Sequence, residues 1–162
     1  MLPLVGERKA VLIVRTEGNT VQPAVSPDGR WLAYQSDESH RPEIYITPFP
    51  GGGAKWQVST TGGFAPRWRA DGKELFYVAR DGHLMATPIA VTADGQALTP
   101  GAPVSLFLVR LASGTTATLG TYSGRPQYAV ARDGRFLVNL AVDAEATPPI
   151  AIVLNWDAQL RE

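Results

Sequence analysis

The sequence contains two histidines, and each has an acidic residue nearby that could share a metal ion with it. His40 follows Asp37, and His83 follows Asp81. Imidazole and carboxylate groups suit zinc or manganese, so these four side chains are the candidate metal ligands. Both histidines fall in short polar connections between apolar runs, where a solvated loop residue is the alternative interpretation.

Two arginines offer a different chemistry, the binding of an anion. Arg67 and Arg69 flank Trp68 in a short run, and the two-residue period of a strand places both guanidinium groups on one face. Clustered guanidinium groups can hold a carboxylate or a phosphate through paired hydrogen bonds. Arg67 and Arg69 are therefore the candidate anion-binding residues.

The residues or motifs that several kinds of catalysis and cofactor binding require are absent from this sequence. Cysteine is absent, which excludes disulfides, thiol nucleophiles and cysteine-bound metals. The serine-hydrolase patterns Gly-x-Ser-x-Gly and Ser-x-x-Lys do not occur. The glycine run at positions 51–53 joins two apolar runs and precedes no helix, so it does not predict a nucleotide-binding loop. We therefore expect no catalytic activity and no cofactor.

Length and charge limit the possible partners. With 162 residues, 44% hydrophobic and 19% charged, the chain has the composition of one folded domain. Fifteen basic residues balance fifteen acidic ones, so no positive field favours binding to nucleic acid. No apolar run reaches the roughly 18 to 20 residues that would span a bilayer, and no membrane insertion is expected.

Short apolar runs separated by Asp-Gly dipeptides predict an all-β chain of hairpins. Three of these dipeptides belong to an internal repeat, in which the segment 23–34 aligns with 66–77 and a third copy covers 128–138. Asp28 and Asp71 lie 43 residues apart, within the window of about 40 to 45 residues for a propeller blade of four strands. Asp133 occupies the same position in the third repeat. A role in forming the hairpin turn explains the three equivalent aspartates, and a ring of metal ligands is the alternative interpretation.

The repeat divides the chain into three propeller blades. We expect a lone N-terminal strand within residues 1–15, near Lys9 to Arg15, then a first blade over 16–60 and a second over 61–109. An insertion loop over 110–126 precedes a third blade over 127–162 that lacks its fourth strand. In this arrangement we expect Trp68 to pack between blades and Arg67 and Arg69 to point toward the central channel. There the two guanidinium groups either bind an anionic ligand or, as the alternative, are hydrated or paired with a carboxylate of a neighbouring strand.

The repeat motifs carry a family resemblance. Ser26-Pro27-Asp28-Gly29, the string Glu43-Ile44-Tyr45-Ile46, Pro66-Arg67-Trp68 and the segment 71–77 resemble PD40, or TolB-like, β-propeller repeats. They most closely resemble the C-terminal propeller segment of bacterial receptor-type serine/threonine kinases, although the kinase motifs are absent. The resemblance implies a β-propeller fold and favours an extracytoplasmic location.

Two functions fit these observations. The first is a non-catalytic interaction module that binds a protein, a peptide or a small anion at the rim or in the channel. The alternative is the propeller part of an enzyme, either a prolyl-oligopeptidase-like hydrolase or a metal-dependent polysaccharide lyase. Because three blades leave two blade faces uncovered, we also expect a homodimer of six blades. In it, the N-terminal strand of each copy would complete the third blade of the other.

Overall fold

A computed structural model describes residues 10, 12–51, 53–111, 127–140 and 150–153, the last four by their backbone alone. Within these residues the chain is all-β: every regular element is a strand and none is a helix. The strands form three antiparallel sheets in this part of the chain. The predicted fold class is confirmed at this level.

The first sheet consists of four strands in chain order, each joined to the next by a hairpin. Its strands are β1 (Thr20–Val25), β2 (Trp31–Ser36), β3 (Glu43–Pro48) and β4 (Trp56–Gln57). Strands β2 and β3 are almost wholly buried, which explains why their sequences are apolar on both faces instead of alternating.

The second sheet has a similar order but gains a fifth strand. Its strands are β5 (Gly63–Trp68), β6 (Glu74–Ala79), β7 (His83–Val91), β8 (Leu98–Pro100) and β9 (Val104–Leu108). The first half of β7 pairs with β9 and its end pairs with β8. This sheet therefore has one strand more than the four expected for a blade: β8 forms because the hairpin at Asp94-Gly95 returns Leu98 to the core, where it is buried.

The third sheet consists of β10 (Tyr128–Val130), β11 (Phe136–Asn139) and β12 (Ile150–Val153). The hairpin between β10 and β11 is one residue shorter than the first hairpins of the other two sheets. Val130 pairs with Phe136, six positions further along, whereas Trp68 pairs with Leu75, seven positions further along. An ungapped alignment of the third repeat is therefore wrong after its Asp-Gly. A one-residue shift exchanges the two faces of a strand, so Phe136 takes the place of Leu75.

The sheets stack face to face, and the second sheet is covered on both sides. One cluster of buried side chains, which we call the first seam, joins the first two sheets and includes Trp31, Ala33, Ile44, Ile46, Trp68, Leu75 and Tyr77. A second cluster, the second seam, joins the second and third sheets and includes Phe64, Ala65, Phe76, Val78, Leu84, Tyr128, Phe136 and Val138. The apolar runs of β5 and β6 thus contribute to both seams.

Residues 12–15 form no strand within this single chain, and Lys9 and Val11 lie outside the described residues, so the expected strand near Lys9 to Arg15 stays a prediction. Ile13 and Val14 instead pack on a cluster formed by Leu32, Tyr34 and Tyr45, on the face of the first sheet that is turned away from the second. A lone strand needs a partner strand for its backbone hydrogen bonds, whereas these two side chains bury apolar surface without one. Residues 112–126, most of the expected insertion loop, are also outside the described range.

Candidate functional site

Arg69 lies just after β5 and is held by the carboxylates of its own hairpin. Its Nε and Nη2 atoms donate to Asp71 at 2.9 and 2.5 Å, and its Nη1 atom donates to Glu74 at 2.7 Å. The Arg69 guanidinium holds the pKa of Asp71 down at about 2, and Asp71 in turn raises the pKa of Arg69. Two carboxylates already neutralise this cation, so Arg69 is poorly placed to bind another anion.

Arg67 has a different environment. Its Nη1 atom donates to the carbonyl of Pro66 at 2.7 Å, and its guanidinium carbon lies 5.8 Å from the centre of the Tyr128 ring on β10. Within the described residues no carboxylate lies within 4 Å of its nitrogen atoms. The structure thus separates the two arginines by their partners, and an anion site at Arg67 stays a prediction.

A β-bulge determines where Arg67 points. Phe64 pairs with Val78 and Arg67 with Phe76, so two residues of β5, Ala65 and Pro66, stand opposite one residue of β6. The bulge puts Phe64 and Arg67 on the same face, since cross-strand partners share a face. Its first residue, Ala65, has a φ of 57°, a strained conformation for a residue with a side chain, all the more so before proline.

The expectation that the two arginines face a central channel stays a prediction. The structure places the Arg67 guanidinium at the second seam, against Tyr128 of the third sheet, because side chains stand roughly perpendicular to a sheet and in stacked sheets meet the neighbouring sheet. Trp68 does pack between two sheets, as expected, and its Nε1 atom donates to the carbonyl of Ala24 at 2.9 Å.

The candidate metal ligands form two separate pairs. His83 Nδ1 lies 3.1 Å from an Asp81 carboxylate oxygen, and the backbone N–H of His83 keeps the pKa of Asp81 below its usual value. Asp37 accepts hydrogen bonds from the backbone and side-chain nitrogens of Asn19, while His40 is exposed nearby. Among the residues that the structure describes, no group of three or more His, Cys, Asp or Glu side chains is arranged to hold a metal ion.

The repeated aspartates form the turns. Asp28, Asp71 and Asp133 each accept a hydrogen bond from the backbone N–H two residues later, at 3.1, 3.0 and 3.2 Å. Asp81 and Asp94 do the same at 3.1 and 3.0 Å. This local hydrogen bond is the reason that aspartate is favoured before glycine in a turn. Because the bond stabilises the charged carboxylate, it contributes to the lowered pKa of all five carboxyl groups.

The sequence analysis missed a buried carboxylate. Glu43 is inaccessible to solvent and accepts hydrogen bonds from Arg41 Nε at 2.6 Å, the Gly62 N–H at 3.0 Å and the Ser59 hydroxyl. Burial, reinforced by the Glu43 charge, raises the pKa of Tyr77 to about 12. Ser59 is also fully buried and accepts the Ile44 N–H, so this Ser-Glu pair ties β3 to the segment before β5 and is closed to a substrate. A charged residue opening the apolar string 43–46 was the available signal.

Comparison with known proteins gives distant relatives. No protein-family model matches the chain. A curated Bacillus subtilis (strain 168) protein described as "Uncharacterized peptidase YuxL" is 29% identical over 158 residues, covering 82% of this chain and 24% of that protein. The chain thus spans about a quarter of the length of this relative.

Solved structures that are similar to this chain include two TolB proteins and an oligogalacturonate lyase. TolB from Acinetobacter baumannii has a TM-score of 0.41 at 19% identity, over 86% of this chain and 42% of that one. A putative TolB from Agrobacterium tumefaciens has a TM-score of 0.39 at 20% identity, over 57% and 36%. An oligogalacturonate lyase from Vibrio parahaemolyticus has a TM-score of 0.43 at 14% identity, over 78% and 32%. Separately, none of the described residues form a helix long and apolar enough to cross a membrane.

Proposed function

We propose that this chain is a segment of a β-propeller that acts as a non-catalytic interaction module. The observation that carries the proposal is the difference between the covered second sheet and the open face of the third. Leu137 on β11 points away from the second seam and is 48% exposed, although its neighbours Phe136 and Val138 are buried. Such a face favours association, because burying apolar surface is stabilising.

The partner that we propose is a second copy of the chain. Val25 on β1 occupies the repeat position at which Trp68 and Val130 pack against the preceding sheet, yet Val25 is 46% exposed. Among the described residues, therefore, no sheet precedes the first one and none follows the third. Two copies related by a twofold axis would supply both neighbours, joining third sheet to first sheet twice in a ring of six sheets.

Strand exchange is the finer part of this proposal. The segment near Lys9 to Arg15 would leave the first sheet, where Ile13 and Val14 now pack, and pair with β12 of the partner. This move would free the face of the first sheet for the third sheet of the other copy. We expect an interface of the obligate class, on the order of 2,000 Å² or more.

Light scattering tests the dimer. We expect about twice 17.4 kDa, and the substitution Leu137→Asp should give the monomer mass. Leu108→Asp is the matched control, because Leu108 is 53% exposed on β9, outside the proposed interface. A wild-type monomer would contradict the dimer, and a dimer unaffected by deletion of residues 1–15 would contradict the strand exchange alone.

A second candidate is the non-catalytic segment of a peptidase, and it is favoured by the description of the Bacillus relative. In either case we expect no turnover of peptide, ester or uronate substrates by this chain, with or without added zinc or manganese. Saturable turnover that is abolished by His40→Ala or His83→Ala would overturn this expectation. An extracytoplasmic location is part of the first proposal, since it follows from the TolB-like resemblance.

A further inference from the structure

Arg67 combines two properties that no other lysine or arginine of the described chain combines: it is partly buried, and it has no carboxylate partner among the described residues. Among residues 12–51, 53–111 and 127–140, only Arg67 and Arg69 are basic residues that are not exposed. Arg69 has two carboxylate partners, and Arg67 has none in these ranges. A partly buried cation without a counter-charge is unfavourable, so the position favours the binding of an anion.

The free atoms of Arg67 define the shape of that anion. Its Nη1 atom is used by the Pro66 carbonyl, while Nε and Nη2 have no partner among the described residues. These two nitrogens form the side edge of the guanidinium, which two oxygens of a carboxylate can accept in parallel. Arg69 shows this edge occupied in the same molecule, with Asp71 bound through Nε and Nη2 and Glu74 bound through Nη1.

The groups that position Arg67 are themselves held in place. The Tyr128 ring lies under its guanidinium, and the Tyr128 hydroxyl donates to the Ala65 carbonyl at 2.7 Å. The bulge at Ala65 and Pro66 fixes the face on which Arg67 lies. A cation supported by an aromatic face and by a backbone carbonyl loses little freedom when it binds a ligand, which favours affinity.

We propose that the side edge of Arg67, supported by Tyr128, is a carboxylate-binding subsite at the second seam. The proposal rests on the interaction-module function and adds the chemistry of the ligand. The carboxylate has two possible sources, the C-terminus of a peptide and an acidic side chain, and both present the same pair of oxygens.

Acetate is the first probe. The Nε–H resonance of Arg67 is identified by its loss in Arg67→Lys, and acetate is titrated against chloride at constant ionic strength. We expect a saturable shift of this resonance in the wild type, with no comparable shift at Arg135, an exposed arginine that pairs with Asp133. In Arg67→Met the affinity for acetate is measured from the shifts of the neighbouring backbone amides. We expect this affinity to be on the order of tenfold lower than in the wild type, because a bidentate charge-assisted pair is lost. Arg135→Met is the control and should bind acetate like the wild type.

Two peptides then separate the sources of the carboxylate. N-acetyl-Ala-Ala-Ala with a free C-terminus presents a terminal carboxylate, and N-acetyl-Ala-Asp-Ala amide presents a side-chain carboxylate. Tighter binding of either supports the subsite and identifies its ligand, while binding of acetate alone supports a site for small carboxylates. An Arg67 resonance that acetate leaves unchanged up to about 100 mM, or an equal response at Arg135, overturns the subsite. A dimer with an unresponsive Arg67 would refute this inference and leave the proposed function standing.

Discussion

The first seam and the second seam each contain an aromatic side chain that joins the first strand of one sheet to the first strand of the neighbouring sheet. In the first seam Trp68 donates Nε1–H to the Ala24 carbonyl at 2.9 Å, and in the second Tyr128 donates its hydroxyl to the Ala65 carbonyl at 2.7 Å. A bulge lies beside both acceptors, since Gln22-Pro23 on β1 repeats Ala65-Pro66 on β5: Ala24 follows its bulge, whereas Ala65 is the first residue of its own. The repeat therefore preserves the bulge of the first strand, although the two hydrogen bonds use different repeat positions.

The two seams differ at the residue that follows the bulge. The repeat aligns Ala24 with Arg67, and the cross-strand partners are Ala33 and Phe76. At this position the first seam has a methyl group, packed against its core, and the second has a guanidinium above Tyr128. The difference teaches that a repeated backbone leaves individual positions free to differ in chemistry, so positions where the repeats differ are where we look for binding residues.

The largest expected effect tests which face of β11 forms the second seam. Phe136 is fully buried, with its ring 4.9 Å from that of Phe76 and 5.7 Å from that of Phe107. We expect Phe136→Ala to lower the free energy of unfolding by about 3 to 5 kcal/mol, since it leaves a cavity in a packed core. Urea unfolding of the two variants, Phe136→Ala and Leu137→Ala, measures the difference.

Leu137→Ala is the matched control, because Leu137 is the next residue and faces away from the seam. Its cost should stay near or below about 0.5 kcal/mol when wild type and both variants are unfolded at a protein concentration at which light scattering gives the monomer mass. The reverse order of the two costs would mean that the ungapped alignment of the third repeat was correct, and that the shorter hairpin does not exchange the faces of β11.

How far the sequence predicts this fold depends on how local each feature is. The positions of β2, β3, β6 and β7 follow from apolar runs and from Asp-Gly turns, whose hydrogen bonds join residues two or three apart. The faces of β11 do not follow from such patterns, because one missing residue after Gly134 exchanges them. The bulge at Ala65 depends on pairing between strands, so the sequence places Arg67 and Arg69 on one face but does not indicate which neighbour that face meets.

The candidate site was predictable to a similar extent. Residue type and spacing identify Arg67 and Arg69 as possible anion ligands, but their different partners depend on the fold. Asp71 reaches Arg69 because both belong to one hairpin, whereas Tyr128 is 61 positions beyond Arg67 and meets it only through the stacking of two sheets. Glu43 was missed for the same reason, since the Ser59 and Gly62 groups that satisfy it come from beyond β4.

The prediction of intermediate size compares the two hydrogen bonds that Trp68 and Tyr128 donate across the seams. Tyr128→Phe removes one hydroxyl and leaves the Ala65 carbonyl without this donor, so we expect a loss of about 1 kcal/mol in the free energy of unfolding. Trp68→Phe removes the indole donor of the first seam and also leaves a void between the first two sheets, so its loss should be larger, about 2 to 3 kcal/mol. Equal losses in urea unfolding would show that the hydrogen bond, and not packing, dominates both contacts.

The smallest expected effect concerns acid stability, and it separates Arg69 from Arg67. The pKa of Asp71 is lowered from 3.8 to about 2 by its hydrogen bond to Arg69. A carboxyl whose pKa is lower in the folded state stabilises the fold above its unfolded pKa, and this contribution is lost as the pH falls through the folded pKa. The contribution of Asp71 is therefore present above about pH 4 and is lost between about pH 4 and pH 2. Because Asp71 is partly exposed, it should not exceed about 1 kcal/mol.

Urea unfolding of Asp71→Asn between pH 7 and pH 2 measures this contribution. The variant should be less stable than the wild type at pH 7, and the difference should shrink as the pH falls toward 2, because the wild-type carboxyl is then increasingly protonated. Arg67→Met is the comparison: with no carboxylate partner among the described residues, its stability relative to the wild type should stay nearly constant over the same pH range. A pH-dependent difference for Arg67→Met that matched that of Asp71→Asn would mean that Arg67 also has a titrating carboxylate partner within the chain. That partner would fill the edge that we assign to an external carboxylate.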